Sequence, residues 1–136
     1  MSAGLIFDSL LVDVFSARLD FGSDTIKVML VDNYQVDAGH SRRSDITGEV
    51  SSGGYAAGGA AIDAVMTGAD GAAEIVLPGA VWWQSSVTAN GAIYYKARGG
   101  GAADDELICY IAFDGPVRSV NGTFFLDKSS IGVSTK

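Results

Sequence analysis

The chain has one histidine, His40, followed at once by Ser41 and then by Asp45. A base, a hydroxyl and a carboxylate are the parts of a nucleophilic triad. These three share one polar stretch, however, and no G-x-S-x-G elbow presents a nucleophile. The expected role of His40 is therefore a surface hydrogen bond. The stretch SSGGYAAGG (51–59) has glycine enough to cradle a phosphate. Such a site needs a helix N-terminus after the loop and a Lys or Ser/Thr in register. AAIDAVM (60–66) follows instead and reads as a strand, and no lysine lies between Lys27 and Lys96. Glu49, Glu74, Glu106 and the aspartates supply carboxylates for glycoside hydrolysis, but none has a distinctive context. Asp104, Asp105 and Glu106 lack the spaced oxygen ligands of a calcium loop and read as a solvated tip. The single cysteine, Cys109 in LICYIAF (107–113), excludes an intrachain disulfide and a Cys-based zinc site. Its expected state is a small buried hydrophobe. The chemistry-bearing residues thus predict no catalytic site, no metal and no cofactor.

The most concentrated charged motif is Arg42-Arg43-Ser44-Asp45. One reading is a salt-bridging contact with a partner protein. The favoured one is an intrachain anchor, with Arg42 or Arg43 paired to Asp45 or Glu49. On that reading RRSDITGEVSSGGYAAGG (42–59) is an ordered crossing rather than a linker. Ile46 and Val50 dip into the core, and Gly53, Gly54, Gly58 and Gly59 allow positive φ or close approach around a Tyr55 plug.

The elements that must hold these residues follow from length and pattern. At 136 residues with 48% apolar content, the chain reads as one domain, 1–136, with a real core. A net charge of −7 argues against nucleic acid or an anionic membrane as partner, since both need a basic footprint. The N-terminus has no basic n-region, and Asp8 and Asp13 interrupt its apolar run, so neither a signal peptide nor a membrane span is expected. Synthesis and retention in a cytoplasm until assembly or release is the corresponding expectation.

Residues 7–17 carry helical spacing, with Leu10, Leu11, Val14 and Phe15 on one stripe. Strands are expected at 24–31, 60–66, 73–77, 80–83, 91–96, 107–113 and 123–127. Gly-Ala-Asp-Gly at 68–71, Pro78-Gly79, Asn90-Gly91 and Asn121-Gly122 are the turn signals between them. Residues 38–59 and 97–106 remain as long loops, the second reading as a mobile tip. The expected fold is mainly β: a single antiparallel β-sandwich or barrel-like domain with one short N-terminal helix.

Adjacent side chains in a strand leave on opposite faces. Trp82-Trp83, Tyr94-Tyr95 and Phe124-Phe125 therefore cannot each place both rings in one core. One ring of each pair needs a second layer: the helix, another sheet or another subunit. Over three such pairs, at least one protein interface is expected.

Taken in order, FDSLLVDVFSARLDFGSDTIKVMLV, RRSDITGEVSSGGYAAGG, AVWWQSSVTANGAIYYK, LICYIAFDG and NGTFFLD resemble a family of small virion proteins of tailed bacteriophages. The resemblance spans roughly residues 7–127. It departs from the family pattern at Ala56-Ala57, where a Thr often precedes the alanine, and at Trp82-Trp83, where one Trp is more usual. What the resemblance implies is a non-enzymatic virion component located on the capsid surface. The implied role is a head decoration (cement) protein, a homotrimer that binds the major capsid protein. A tail, baseplate or fibre-associated component is the alternative, and a host-surface or carbohydrate-binding module a further one. The second rests on aromatics near loops and on a cation at 104–106.

Overall fold

The computed structural model describes residues 3–51 and 53–134. Its elements run β1 (Ala3–Ile6), α1 (Ser9–Phe15), β2 (Ile26–Val31), β3 (Ala60–Ile62), β4 (Val65–Ala69), β5 (Ala72–Leu77) and β6 (Ala80–Ser85). They continue with β7 (Thr88–Lys96), β8 (Leu107–Arg118), β9 (Gly122–Leu126) and β10 (Ser129–Ser134). Two 3₁₀ turns sit at Arg43–Asp45 and Ala102–Asp104. One sheet has the order β1-β8-β7-β2-β3, a second β10-β5-β4, and β6 pairs with β9. All pairings are antiparallel. The protein is thus a mainly β, sandwich-like domain with one short helix, as its sequence pattern predicts.

The core sits on β2, β7 and β8. These strands read as near-continuous apolar runs (IKVMLV, AIYY, LICY) because both of their faces are covered. Val28, Leu30, Ala92, Ile93, Tyr94, Leu107 and Ile108 are wholly inaccessible. From the second sheet Leu77, Ile75 and Ile131 join the same cluster, and from the β6–β9 pair Trp82, Phe124 and Leu126.

Several expectations need correction. The helix is shorter than 7–17, and its apolar stripe does not face inward. Leu10 and Asp13 are buried, whereas Leu11, Val14 and Phe15 are exposed. Asp13 is held inside by Arg18, at 3.3 Å. AAIDAVM is two strands, not one: β3 joins β2 and β4 joins β5, so the chain changes sheets at Asp63-Ala64. Asn90-Gly91 lies within β7 rather than at a turn. Glycine is needed there because a Cβ at Gly91 would collide with the Tyr110 ring. Opposite it, β8 bulges outward, since Ala89 pairs with Val117 but Gly91 with Ala112. β1 and β10 were not apparent in the pattern at all. Both are short, lie near the chain ends and pair with strands distant in sequence.

Candidate interaction site

The 42–59 crossing is built against the stretch of β2 that the short β3, paired only with Ile26 to Val28, leaves open. Its Gly48 carbonyl accepts the Asp32 N–H at 2.7 Å, and Val50 N–H reaches the Leu30 carbonyl at 3.0 Å. The Leu30 N–H then finds the Tyr55 hydroxyl at 3.2 Å. Tyr55 donates in turn to Glu49 Oε2 at 2.6 Å, which also accepts the Gly58 N–H at 2.7 Å. A side-chain hydroxyl thereby takes the hydrogen bond that a neighbouring strand would have accepted. Burial first, and then the neighbouring Glu49 carboxylate, push the Tyr55 phenol well above its usual pKa, so it remains a donor. The four glycines around it, Gly53, Gly54, Gly58 and Gly59, all have φ between +75° and +91°. At Gly59 a Cβ would also collide with the Val28 carbonyl, and at Gly53 with that of Ser86.

The charged anchor exists, but with other partners than expected. Arg43 Nε donates to Asp105 Oδ2 at 2.8 Å, and its guanidinium lies 5.2 Å from the Tyr95 ring centroid. Asp45 pairs with neither arginine side chain; its Oδ2 accepts the N–H groups of Ser41 and Arg42. Those two bonds hold its carboxyl below the usual range. Arg42 donates to the Ser41 carbonyl. Glu49 is occupied by Tyr55 and Gly58.

The 97–106 loop is likewise not a solvated tip. Asp105 and Glu106 are each 2% exposed. Arg98 grips Glu106 through Nε and Nη2 at 2.8 and 2.7 Å, and these bonds draw the Glu106 carboxyl below its ordinary pKa. The Arg98 N–H donates to Asp105 Oδ1 at 2.9 Å. Lys96 completes the cluster with Asp24, at 2.9 Å. Arginines and backbone amides thus already engage the oxygens that a cation would need at 105–106. Among the described residues no group of three or more His, Cys, Asp or Glu side chains is placed to hold a metal. His40 Nδ1 is bonded to the Tyr34 hydroxyl at 2.6 Å, and Asp45 is turned to the backbone, so the His40, Ser41, Asp45 set does not assemble. Burial raises the Cys109 thiol to about 12, consistent with an inert hydrophobe.

The aromatic pairs separate into two kinds. Tyr94 and Tyr95 are both core residues, 0% and 1% exposed, and leave opposite faces of β7. Tyr94 donates to the Pro78 carbonyl and Tyr95 to the Gly58 carbonyl, so two layers of the same chain satisfy them. They are not interface residues. Trp82 and Phe124 are also buried, packed edge to face at 6.0 Å, with Tyr55 5.9 Å from Trp82. Trp83 and Phe125 point the other way and are 72% and 64% exposed. With Val81, which pairs with Phe125, they form the outer face of the β6–β9 pair. From Phe125 a groove of about 1000 Å³ runs to Phe113 and Ile111 beneath the β8 bulge. A second exposed apolar surface lies on α1, at Leu11, Val12 and Phe15. Sequence reasoning missed this one because a stripe of helical period shows that one face is apolar, not which way the face is turned.

No family model matches the chain, and neither curated proteins nor solved structures include a match to it.

Proposed function

We propose that the protein is a non-enzymatic structural component of a tailed-phage virion, a head decoration protein that binds the capsid exterior and bridges major capsid protein subunits. The observation that carries this reading is the contrast between spent charges and unspent aromatics. Asp105, Glu106, Arg43, Arg98, Lys96 and Asp24 neutralise one another within the chain. Trp83 and Phe125, by contrast, stand largely exposed on an outer sheet face. Buried aromatics are the usual anchors of protein interfaces, and a bridging role requires only contact area. The resemblance of the strand and crossing segments to small phage virion proteins supplies the setting, and with it self-association as a trimer. A glycan-binding role loses its motive, since the acids it would use for a cation are engaged by Arg43 and Arg98.

The placement is tested by fractionating virions of the encoding phage into heads and tails and locating the protein by mass spectrometry. Recovery with emptied heads is the expected result; recovery with tails alone refutes the head placement. Trp83→Ala should weaken capsid binding at least tenfold while leaving stability within about 0.5 kcal/mol. A lowered Tm with unchanged binding would show that the ring is a packing residue instead.

A further inference from the structure

The β4–β5 hairpin stands out from the body. All five residues of β4 and the first three of β5 are exposed; only from Ile75 onward does β5 enter the core. β4 is paired on one side, with β5, and forms the end of its sheet. Edge strands are normally blunted by a charge, a proline, a bulge or a covering segment. The VMTGA of β4 has no charge and no proline, and its register with β5 is unbroken from Val65↔Val76 to Ala69↔Ala72.

The register also fixes which backbone groups are free. Asp70 and Gly71 have φ of +55° and +79°, the pattern of a two-residue type I′ turn. Such a turn makes Ala69 and Ala72 a hydrogen-bonded pair, and the pairs alternate along the ladder. Thr67 and Val65 therefore also bond to β5. Met66 and Gly68 direct their N–H and C=O groups outward.

We infer that β4 is a self-pairing edge, and that two copies of the chain join antiparallel there about a two-fold axis at Thr67, merging their hairpin sheets into one. The inference is independent of the virion reading. Under that axis Met66 and Gly68 exchange N–H···O bonds with Gly68 and Met66 of the partner subunit. Thr67 faces its own copy in a non-hydrogen-bonded pair, and Thr–Thr is a favourable cross-strand match. Charge permits the register as well. Asp70 falls opposite Ala64 and Asp63 opposite Gly71, so no acids are directly apposed. Glu74, beside Thr67 on β5, meets its counterpart only across three strand spacings, about 14 Å. At that separation exposed charges are largely screened at ordinary salt. A second copy is the occupant because the edge is uncharged and unbulged, and its self-pairing register matches Met66 with Gly68 while apposing no acids directly. The contact is small, so a dissociation constant on the order of 10 µM is expected.

The test uses the full chain with Thr67→Cys. At the two-fold axis the new thiols face each other at a Cα separation of about 4.5 Å, which a disulfide bridges. Cys109 is buried and does not compete. Under mild oxidation Thr67→Cys should cross-link at least tenfold faster than Trp83→Cys, an exposed position away from the hairpin. Adding Met66→Pro to Thr67→Cys removes an outward N–H without touching the β5 ladder, a change edge strands tolerate. It should abolish the cross-link and halve the mass of the assembly seen by sedimentation. Should Met66→Pro unfold the chain, amide exchange of the wild type replaces it. Slowing of Met66 and Gly68 exchange as concentration rises supports the edge, and unchanged exchange overturns it. Equal cross-linking of the two cysteine variants, or a cross-link that survives Met66→Pro in a folded chain, overturns it too.

Discussion

Two strand edges of this molecule are treated in opposite ways. Along β2, the crossing of 42–59 meets the open backbone groups nearly one by one, with Gly48, Val50 and the Tyr55 hydroxyl as partners. Along the outer edge of β4 no described strand is laid down. The comparison shows what the unusual composition of the crossing is for. Its glycines bring backbone against backbone, its tyrosine substitutes for a strand, and Arg43 ties the result to Asp105. The hairpin has small residues too, but they line a surface without cover.

Breaking the guarded edge should produce the largest effects. Gly59→Val places a branched side chain at φ +80° and against the Val28 carbonyl, and is expected to prevent folding. A cooperative melt near that of the wild type would mean the crossing is not seated on β2. Tyr55→Phe comes next. It leaves the Leu30 N–H and a Glu49 oxygen each short of a partner, at a cost of about 1–3 kcal/mol in chemical denaturation. A value near zero would remove the hydroxyl's role as an edge partner.

A subtler probe is pH. Glu106 has a folded pKa lowered from 4.5, chiefly by the Arg98 hydrogen bonds. Its stabilisation is therefore complete above the unfolded pKa and lost as pH falls through the folded one. The Tm gap between wild type and Arg98→Ala should narrow on acidification through the carboxylate range; a constant gap would argue against the pair. The bare edge should respond least. Met66→Thr in β4 is expected to change the stability of the isolated chain by less than about 0.5 kcal/mol. A larger loss would sharpen the comparison differently, by showing that β4 packs within its own subunit.

The legible parts of the fold were those with a local cause. The β2, β7 and β8 runs announce themselves as apolar blocks, and Asp70-Gly71 as a tight turn. The positive-φ glycines of the crossing were legible for the same reason. What the pattern did not hold was pairing at a distance. Arg43 found Asp105 rather than Asp45 or Glu49, because the chain folds back over a separation of 62 positions to bring the loop beside it. Asp104, Asp105 and Glu106 look identical as a string, yet only the first stays in solvent. Tyr94-Tyr95 and Trp82-Trp83 are equivalent as doublets too. The first pair is covered on both faces and the second on one, a difference set by which sheets stack rather than by the residues.

The β1–β8 pairing has a consequence for synthesis. Ala3 pairs with Ala112, so β1 has no partner until the residues between them and β8 itself have been translated. At about 5–20 residues per second that interval is on the order of 5–20 seconds. Throughout it the nascent chain carries β1 unpaired, and the five-stranded sheet closes only once β8 has left the ribosome, after β2 and β7 are available to pair.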